Sequence, residues 1–304
     1  MSESNVIRVR VPASSANLGP GFDALALALG LYLRCTLRKS QHGLRIQVSG
    51  TDSEDIPRDE SNLVWKAFTR LAGKQSETGM ELEIVNEVPI GKGLGSSAAA
   101  IVAGLALANE WFKLNKSRDQ LIEIATRMEG HPDNVAAAVR GGLVVSCQTE
   151  DGSVIAVNSP FQANLKVALV VPHCQLATEV ARAALPASYS RRDAVFNLQR
   201  VALLLAALRE GNNDLLAEAM QDRFHQPFRA PLVPGFEEIL KLRGVPGLLG
   251  LALSGAGPSV VAFCSGHTDE VGEAIASCFR KHGVEARTHR LPIDTQGLMV
   301  ERVL

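Results

Sequence analysis

Apolar residues recur at two different spacings along this 304-residue chain, and each spacing predicts one kind of element. Residues 6–11 alternate between apolar and polar side chains, which predicts a half-buried strand that ends at Pro12. Residues 25–36 are apolar at nearly every position, a pattern that fits both a buried strand and a buried helix, of which we predict the strand. Residues 62–72 place their large apolar side chains three or four positions apart, which predicts an amphipathic helix.

The other elements predict an α+β protein with two domains. In the first half we predict strands at 44–48, 80–88 and 143–147, and helices from the glycine-rich loop to about 109 or 112, at 118–129 and at 134–140. In the second half we predict strands at 165–171, 248–253, 260–264 and 286–291, and helices at 178–184, 194–209, 214–222, 235–242 and 268–282. A polar turn at 149–153 places the boundary between domains 1–155 and 156–304.

Composition narrows the class of protein. The chain is 46% hydrophobic and 21% charged with a formal net charge of -1, which is typical of a globular protein and does not suggest a nucleic-acid or membrane partner. The longest apolar runs, 24–33 and 98–108, fall short of the ~18 residues of a membrane helix. Five scattered cysteines without a Cys-x-x-Cys pair argue against a zinc site or a disulfide framework, so we expect a cytoplasmic protein.

A glycine-rich loop at 88–100 is the first candidate binding element. Three glycines alternate with other residues between a predicted strand and an alanine-rich helix, which allows a ligand to approach the backbone closely. We expect Ser96 or Ser97 to cap the helix, whose free amide groups, together with Lys92, suit phosphate. The spacing differs from that of Walker and Rossmann loops. By itself the pattern is equally compatible with a tight strand-to-helix turn.

Three further polar or glycine-rich segments lie at element ends, where functional groups are commonly displayed. Residues 129–134 combine two carboxylates, an imidazole and an amide, and oxygen ligands of this kind suit Mg²⁺. The alternative is a helix C-cap followed by an N-cap aspartate. Residues 253–259 lie between two strands and predict either a ligand-binding loop or a simple hairpin. Residues 12–23 include a predicted loop at 14–21 that is dense in turn formers.

Together these segments resemble the motifs of the GHMP small-molecule kinases. Residues 12–23 are similar to the first motif of the family, in the form found in members that act on L-homoserine. Residues 89–99 resemble the phosphate loop, 253–259 the third motif, and 130–134 also fit the members that act on L-homoserine. The resemblance covers nearly the whole chain. It implies a ribosomal-protein-S5-like N-terminal domain, a ferredoxin-like C-terminal domain, and an active site between them.

The resemblance also implies a nucleotide and a metal site. ATP phosphates would lie on the backbone of residues 91–97, and Asn62, which could equally be a helix cap, would lie near the base. Ser97 and Glu129 correspond to the Mg²⁺ ligands. The predicted ATP-binding residues are Asn62, Pro89, Ile90, Gly91, Lys92, Gly93, Leu94, Gly95, Ser96, Ser97, Ala98 and Ala99. The Lys92 side chain could assist the phosphates or be solvated.

The acceptor site follows in the same way. Arg182 and Arg229 match the arginines that hold a substrate carboxylate. The full set of predicted substrate-binding residues is Asn17, Asp23, His131, Asn134, Arg182, Arg229, Gly255 and Gly257. Asn17 and Asp23 would hold the amino end. Asp133 is the predicted catalytic residue, primarily as a group that orients the hydroxyl, because an ordinary aspartate with a pKa of ~3.9 is a weak base for an alcohol.

The resemblance thus implies ATP-dependent phosphorylation of the side-chain hydroxyl of L-homoserine, a step in threonine biosynthesis, by a homodimer. One alternative keeps the family and changes the acceptor to a mevalonate-type or shikimate-type substrate. A second alternative is a binding regulator that keeps the fold without the chemistry. Intact phosphoryl-transfer residues, among them Ser97, Glu129 and Asp133, argue against the regulator.

Overall fold

Two β-sheets and the helices packed on them form the chain in a computed structural model, which describes residues 6–73, 79–161 and 165–303. The strands are β1 Val6–Asn17, β2 Gly21–Lys39, β3 Arg45–Gly50, β4 Met80–Asn86, β5 Leu143–Gln148, β6 Val154–Ser159, β7 Lys166–Pro172, β8 Leu248–Leu253, β9 Val260–Cys264, β10 Ala286–Leu291 and β11 Met299–Val303. The helices are α1 Leu63–Ala72, α2 Ser96–Trp111, α3 Arg118–Glu129, α4 Asp133–Arg140, α5 Thr178–Ala183, α6 Arg191–Glu210, α7 Leu216–Ala219, α8 Gln226–Arg229, α9 Phe236–Ile239 and α10 Thr268–Lys281.

The first sheet has seven strands in the order β11-β1-β2-β4-β3, with β5 and β6 continuing from β2. Its strand pairs are antiparallel apart from the parallel pair β3 and β4. The long strand β2 pairs with β4 along its second half and with β5 near its start. Helix α2 lies in the core on this sheet, with residues from Ala98 to Ala108 buried except Ala100, because alanine and glycine allow close packing on α1.

The second sheet has four antiparallel strands in the order β10-β7-β9-β8. Numbered along the chain, these strands have the order 4-1-3-2, with helices between the first and second strands and α10 between the third and fourth. This is the ferredoxin-like arrangement that the resemblance implied. Two further apolar clusters pack on this sheet, one of which includes the buried Phe263 and the other the buried Phe236 and Phe279. The predicted α+β fold class is confirmed.

Several predicted boundaries were wrong. Strand β1 continues beyond Pro12, because a register shift after this residue accommodates the missing amide and pairing with β2 then resumes as far as Asn17. The helix after the glycine loop has no side-chain cap, since Gly95 in the left-handed conformation begins it in place of the expected serine. The helix predicted at 214–222 is a short 3₁₀ turn followed by α7, and the one predicted at 235–242 is only α9.

Two strands that the sequence analysis missed, β6 and β11, both belong to the first sheet. The predicted boundary after residue 155 lies inside β6, which pairs with β5, so the first sheet extends to Ser159. Strand β11 returns from the end of the chain and pairs with β1. We therefore propose a two-domain division between β6 and β7, with the last strand assigned to the first domain. Within the described residues, no helix is long and apolar enough to cross a membrane.

Candidate active site

The glycine-rich loop is held between the two sheets. Gly91, Gly93 and Gly95 all have positive φ angles, of 67°, 74° and 66°. A Cβ on Gly93 would lie 2.0 Å from the backbone oxygen of Ser254, so only glycine permits this approach. The Ser254 hydroxyl donates to the Gly93 carbonyl at 2.7 Å, and the Ser14 amide donates to the Leu94 carbonyl at 3.0 Å. The loop is therefore fixed by β1 on one side and by the β8–β9 turn on the other.

Helix α2 presents an uncapped N-terminus at the end of this loop. Gly95 provides no side chain to accept hydrogen bonds from the first amide groups of the helix. Free amides and the positive end of a helix dipole suit an anion, and the loop and the first turn of α2 line a cavity. The predicted serine cap was wrong, and phosphate binding by the loop stays a prediction.

The Lys92 side chain lies away from the cavity that the glycine loop and α2 line. Its ammonium group donates to the carbonyl oxygens of Pro172 and Cys174, at 2.9 and 2.5 Å, at and just beyond the end of β7. Partial burial lowers its pKa, which the nearby Cys174 and Asp52 oppose. Lys92 does not line the cavity, and its side chain connects the glycine loop to the second sheet.

Ser97 and Glu129 form the candidate metal pair. The Ser97 hydroxyl in the first turn of α2 donates to the Glu129 carboxylate at the end of α3, at 2.7 Å. Gly130 follows with a φ of 94° and ends α3, so the Glu129 carboxylate lies at a helix end and lines the cavity. A hydroxyl and a carboxylate oxygen at this separation are a donor set that suits Mg²⁺.

His131 and Asp133 form a second polar pair beside the first. The imidazole Nδ1 lies 2.6 Å from Asp133 Oδ1, and Nε2 lies 3.9 Å from the Glu129 carboxylate. Burial lowers the pKa of His131, but the hydrogen bond to Asp133 and the charges of both carboxylates outweigh this, so the pKa is raised. Because a carboxylate only accepts, Nδ1 carries the proton that is donated to Asp133.

Asp133 is almost fully buried at the start of α4. Its Oδ1 also accepts from the Asn134 amide at 2.7 Å, whereas Oδ2 has no hydrogen bond within the described part of the chain. Asn134 in turn accepts from the Ser14 hydroxyl at 2.8 Å, which ties α4 to β1. Asp133 is thus oriented through one oxygen, with the other available to a ligand.

Arg182 and Asp23 form an ion pair in the wall of the same cavity. Arg182 on α5 donates two hydrogen bonds to the Asp23 carboxylate, at 2.8 and 3.0 Å. These hydrogen bonds raise the pKa of Arg182, which partial burial opposes. Asp23 is oriented by Asn17, whose side-chain oxygen accepts from the Asp23 amide at 3.0 Å and whose amide group donates to Gly255 at 2.9 Å.

Arg229 is a buried arginine at the end of α8, with 2% of its surface exposed. Its Nε donates to the Ala181 carbonyl at 3.2 Å, and its Nη1 lies 3.1 Å from both the Gly255 carbonyl and the His225 Nδ1. Nη2 makes no hydrogen bond to any described residue. Burial, reinforced by the positive charge of Arg182, lowers the pKa of Arg229 to about 10, so it remains a cation at neutral pH.

One cavity of ≈ 330 Å³ brings these groups together. Among the predicted site residues, Asn17, Asp23, Asn62, Pro89, Ile90, Gly91, Gly93, Leu94, Gly95, Ser96, Ser97, Glu129, His131, Asp133, Asn134, Arg182, Arg229 and Gly255 line it. The predicted residues Lys92, Ala98, Ala99 and Gly257 do not. Asn62 caps α1 by accepting from the amides of Val64 and Trp65, and also donates to the Pro57 carbonyl, so most of its polar capacity is structural.

Sequence reasoning missed part of the cavity wall. An apolar end includes Leu33, Ile56, Pro57, Leu63, Val64 and Ile84. Leu33 and Ile84 follow the core patterns of β2 and β4, Leu63 and Val64 that of α1, and Ile56 and Pro57 lie in the segment between β3 and α1, so no signal in the sequence marked these positions as binding residues. Thr178, at the start of α5, also lines the cavity and was missed. Its position one turn before Arg182 on the same helix was the available signal.

Comparison with known proteins identifies the family of the chain. Residues 62–142 match the profile of the GHMP kinases N terminal domain, and residues 204–285 match that of the GHMP kinases C terminal domain. The homoserine kinase of Solibacter usitatus is 48% identical over 99% of this chain and 100% of its own length. The chain belongs to the GHMP kinase family, in its homoserine kinase branch. The homoserine kinase of Desulfitobacterium hafniense is 44% identical over 97% of this chain and all of its own.

Solved structures extend the comparison to the whole fold. The crystal structure of homoserine kinase from Cytophaga hutchinsonii superposes with a TM-score of 0.87 at 31% identity, covering 99% of both chains. The mevalonate kinase of L. major, solved with R-mevalonate, has a TM-score of 0.68 at 18% identity and covers 98% of this chain and 97% of its own. The second likeness concerns the fold alone. Assignment of the acceptor therefore depends on the side chains of the cavity.

Proposed function

We propose that this chain transfers the γ-phosphoryl group of ATP to the side-chain hydroxyl of L-homoserine, giving O-phospho-L-homoserine and ADP. The observation that carries the proposal is the placement of Asp23, Arg182 and Arg229 in one cavity with Asp133 and the glycine-rich loop. A carboxylate and two guanidinium groups complement the ammonium and carboxylate of an amino acid. The homoserine kinases among its relatives support the same acceptor.

The acceptor is held by its charged end. Arg229 Nη2 provides two N–H donors that no described residue uses, and these bind the substrate carboxylate. Asp23 takes the ammonium group. Arg182, which pairs with Asp23 in this structure, then completes the carboxylate site. The hydroxyl at the other end of the substrate accordingly lies near Asp133.

The nucleotide occupies the other part of the cavity. Its base lies in the apolar end formed by residues such as Ile56, Leu63 and Ile84, and its phosphates lie on the loop and the N-terminus of α2. Ser97 and Glu129 would hold Mg²⁺, which neutralises charge on the phosphates when bound. The 2.7 Å separation of their oxygen atoms and their place at the phosphate loop support this assignment.

Transfer requires in-line approach of the hydroxyl oxygen to the γ-phosphorus. Asp133 Oδ2, which has no hydrogen bond to a described residue, accepts a hydrogen bond from the hydroxyl and orients its lone pair. The new oxygen–phosphorus bond forms as the bond to the β–γ bridging oxygen breaks, and the hydroxyl proton leaves to Asp133 or to the transferred group. Positioning and charge neutralisation supply most of the rate enhancement in this chemistry.

We further propose a cytoplasmic homodimer on the threonine pathway. The cytoplasm accords with five cysteines that form no disulfide in the structure. The threonine pathway follows from the product, and the homodimer remains an expectation from the family resemblance. Size-exclusion chromatography with light scattering tests the oligomeric state directly, and a monomeric mass would overturn this part.

The test is ADP release with Mg-ATP and a panel of acceptors: L-homoserine, L-serine, mevalonate, shikimate and none. Two truncated acceptors sharpen it, since 4-hydroxybutyrate lacks the ammonium and 3-aminopropan-1-ol lacks the carboxylate. We expect turnover with L-homoserine, and a kcat/KM that is about 10- to 100-fold lower for each truncated acceptor. Turnover with mevalonate or shikimate but not with L-homoserine would refute the acceptor assignment.

A variant then assigns the ammonium contact. Asp23→Asn should lower kcat/KM for L-homoserine and should remove most of its advantage over 4-hydroxybutyrate. Asp193→Asn is the matched control, because the Asp193–Arg223 ion pair is as exposed as the Asp23–Arg182 pair but does not line the cavity. If Asp23→Asn still preferred L-homoserine over 4-hydroxybutyrate as strongly as the wild type does, Asp23 would be excluded as the partner of the ammonium group.

A further inference from the structure

His225 lies beneath the acceptor site without touching the cavity. It is fully buried and has 0% exposed surface. Its Nε2 lies 2.7 Å from the Gly19 carbonyl, and its Nδ1 lies 3.1 Å from Nη1 of Arg229. Its ring also stacks on Phe22, with the centroids 5.5 Å apart. One imidazole therefore joins the turn between β1 and β2, which lies between Asn17 and Asp23, to the buried arginine.

The two contacts fix the protonation state of this imidazole. A carbonyl oxygen only accepts, so the hydrogen atom must be on Nε2. A guanidinium N–H only donates, so Nδ1 must provide a lone pair to Arg229. The ring is therefore neutral. Burial lowers the pKa of His225, which the charge of Asp222 opposes and that of Arg229 reinforces.

Asp222 stabilises the backbone around His225 and does not take a proton from the imidazole ring. Its two oxygens accept from the backbone amides of Phe224, His225 and Gln226 and from the Asn197 side chain, at 2.7 to 2.9 Å. All four lone-pair positions are therefore occupied. The distance from Asp222 Oδ2 to His225 Nε2 is 3.6 Å, which is too long for a hydrogen bond. Asp222 thus holds the backbone of His225 in place.

We propose that His225 is a positioning residue for Arg229: its Nδ1 lone pair fixes the guanidinium so that Nη2 is aimed at the carboxylate of the acceptor. The inference rests on the proposed function. Nε and Nη1 of Arg229 use all three of their N–H groups on Ala181, Gly255 and His225. Without the imidazole lone pair, one Nη1 hydrogen would be buried without an acceptor, and the guanidinium would rotate to satisfy it.

Three variants separate the two hydrogen bonds of the ring. In His225→Asn the side-chain oxygen occupies the place of Nδ1 and keeps an acceptor for Arg229. In His225→Gln the amide nitrogen occupies the place of Nε2 and keeps the donor to Gly19, but the acceptor is lost. His225→Phe loses both hydrogen bonds and keeps an aromatic ring on Phe22. The comparison therefore distinguishes the Arg229 contact from the Gly19 contact.

The readouts are KM for L-homoserine, KM for ATP and kcat, with 3-aminopropan-1-ol as an acceptor without the carboxylate. We expect KM for L-homoserine to rise about 10-fold in His225→Gln and His225→Phe and less than threefold in His225→Asn, with KM for ATP and kcat within about twofold of the wild type. With 3-aminopropan-1-ol, the three variants should have kcat/KM values close to that of the wild type, because this acceptor makes no use of Arg229.

Other results would overturn the inference. Equal losses in His225→Asn and His225→Phe would show that the acceptor for Arg229 is unimportant, and parallel changes in kcat and KM for ATP would show a general structural role. If the variants lost as much kcat/KM with 3-aminopropan-1-ol as with L-homoserine, contact with the carboxylate would be excluded as the cause of the loss. A wild-type protein that is inactive with L-homoserine refutes the proposed function and the inference together, whereas an active wild type with unaffected variants refutes only the inference.

Discussion

The contact between Gly93 and the β8–β9 turn allows a quantitative prediction for Gly93→Ala. The φ angle of 74° costs a non-glycine residue about 1–2 kcal/mol. In addition, the new Cβ would lie 2.0 Å from the Ser254 carbonyl oxygen and 2.9 Å from backbone atoms of Gly257. Cβ atoms are essentially never found closer than 3.0 Å to such atoms, so the loop and the turn must separate by about 1 Å.

This separation has two consequences. It lengthens the 2.7 Å hydrogen bond from Ser254 to the Gly93 carbonyl beyond hydrogen-bonding distance, and a buried polar group without a partner costs ~1–3 kcal/mol. It also displaces the phosphate loop by about 1 Å, an error that can lower catalytic rates about 100-fold. We therefore expect a loss of ~2–5 kcal/mol in the free energy of unfolding and a fall of about 100-fold in kcat/KM.

Gly43→Ala is the matched control. Gly43 has a φ of 65°, lies outside the cavity wall, and has open space within 4 Å of its Cβ position. Gly43→Ala should lower the free energy of unfolding only by the ~1–2 kcal/mol that the positive φ angle costs, and it should keep wild-type activity. Urea unfolding followed by circular dichroism gives the stabilities, and ADP release with L-homoserine gives kcat/KM. Equal stabilities of the two variants, or a Gly93→Ala protein within threefold of wild-type activity, would refute the reasoning.

Three other predictions follow from the same structure. Ser97→Ala removes a hydroxyl of the candidate metal pair and should raise the Mg²⁺ concentration for half-maximal activity about 10- to 100-fold; no change would remove Ser97 from the site. The raised pKa of His131 means that its contribution to stability is complete below its unfolded pKa of ~6.5 and is lost as pH rises through its higher folded pKa. His131→Asn should therefore lose more stability at pH 5.5 than at pH 8.5 in urea unfolding, and the opposite order would contradict the assigned shift. Gly104→Ala should lower the thermal midpoint although alanine normally favours a helix by about 1 kcal/mol, because its Cβ would lie 2.1 Å from the Val64 carbonyl oxygen; a raised midpoint would show that α1 can move away.

Local patterns predicted most elements of the fold because they depend on neighbours in sequence. The helix predicted at 118–129 has the bounds of α3, where Ser117 and Gln120 form a capping box and Gly130 ends the helix. The strand predicted at 248–253 likewise has the bounds of β8. The second sheet follows the ferredoxin-like order that the family resemblance implied.

The missed features depend on partners that are distant in sequence. Strand β11 is short and mostly exposed, and its pairing with β1 joins residues that are nearly the whole chain apart. The continuation of β1 beyond Pro12 requires the register shift against β2. Lys92 has a sequence context typical of phosphate binding, yet the carbonyl oxygens of Pro172 and Cys174 attract its ammonium group. None of these partners can be identified from local spacing.

The predicted substrate residues illustrate what motifs can and cannot establish. The resemblance identified Arg182 and Arg229 together, but the structure gives them different environments. Arg229 is buried and fixed by three acceptors, whereas Arg182 and Asp23 pair at 38% and 34% exposure, where an ion pair contributes little to stability. The pair can therefore separate at small cost, while the buried arginine keeps its position.

This difference favours a ligand that carries both charges. A carboxylate alone would compete for Arg182 and leave Asp23 without a cation, and an ammonium group alone would take Asp23 and leave Arg182 without an anion. An amino acid supplies both counter-charges at once, so each half of the ion pair exchanges one partner for another. Selectivity for the acceptor then follows from the cost of leaving a half-buried charge unpaired as well as from the new contacts that the acceptor makes.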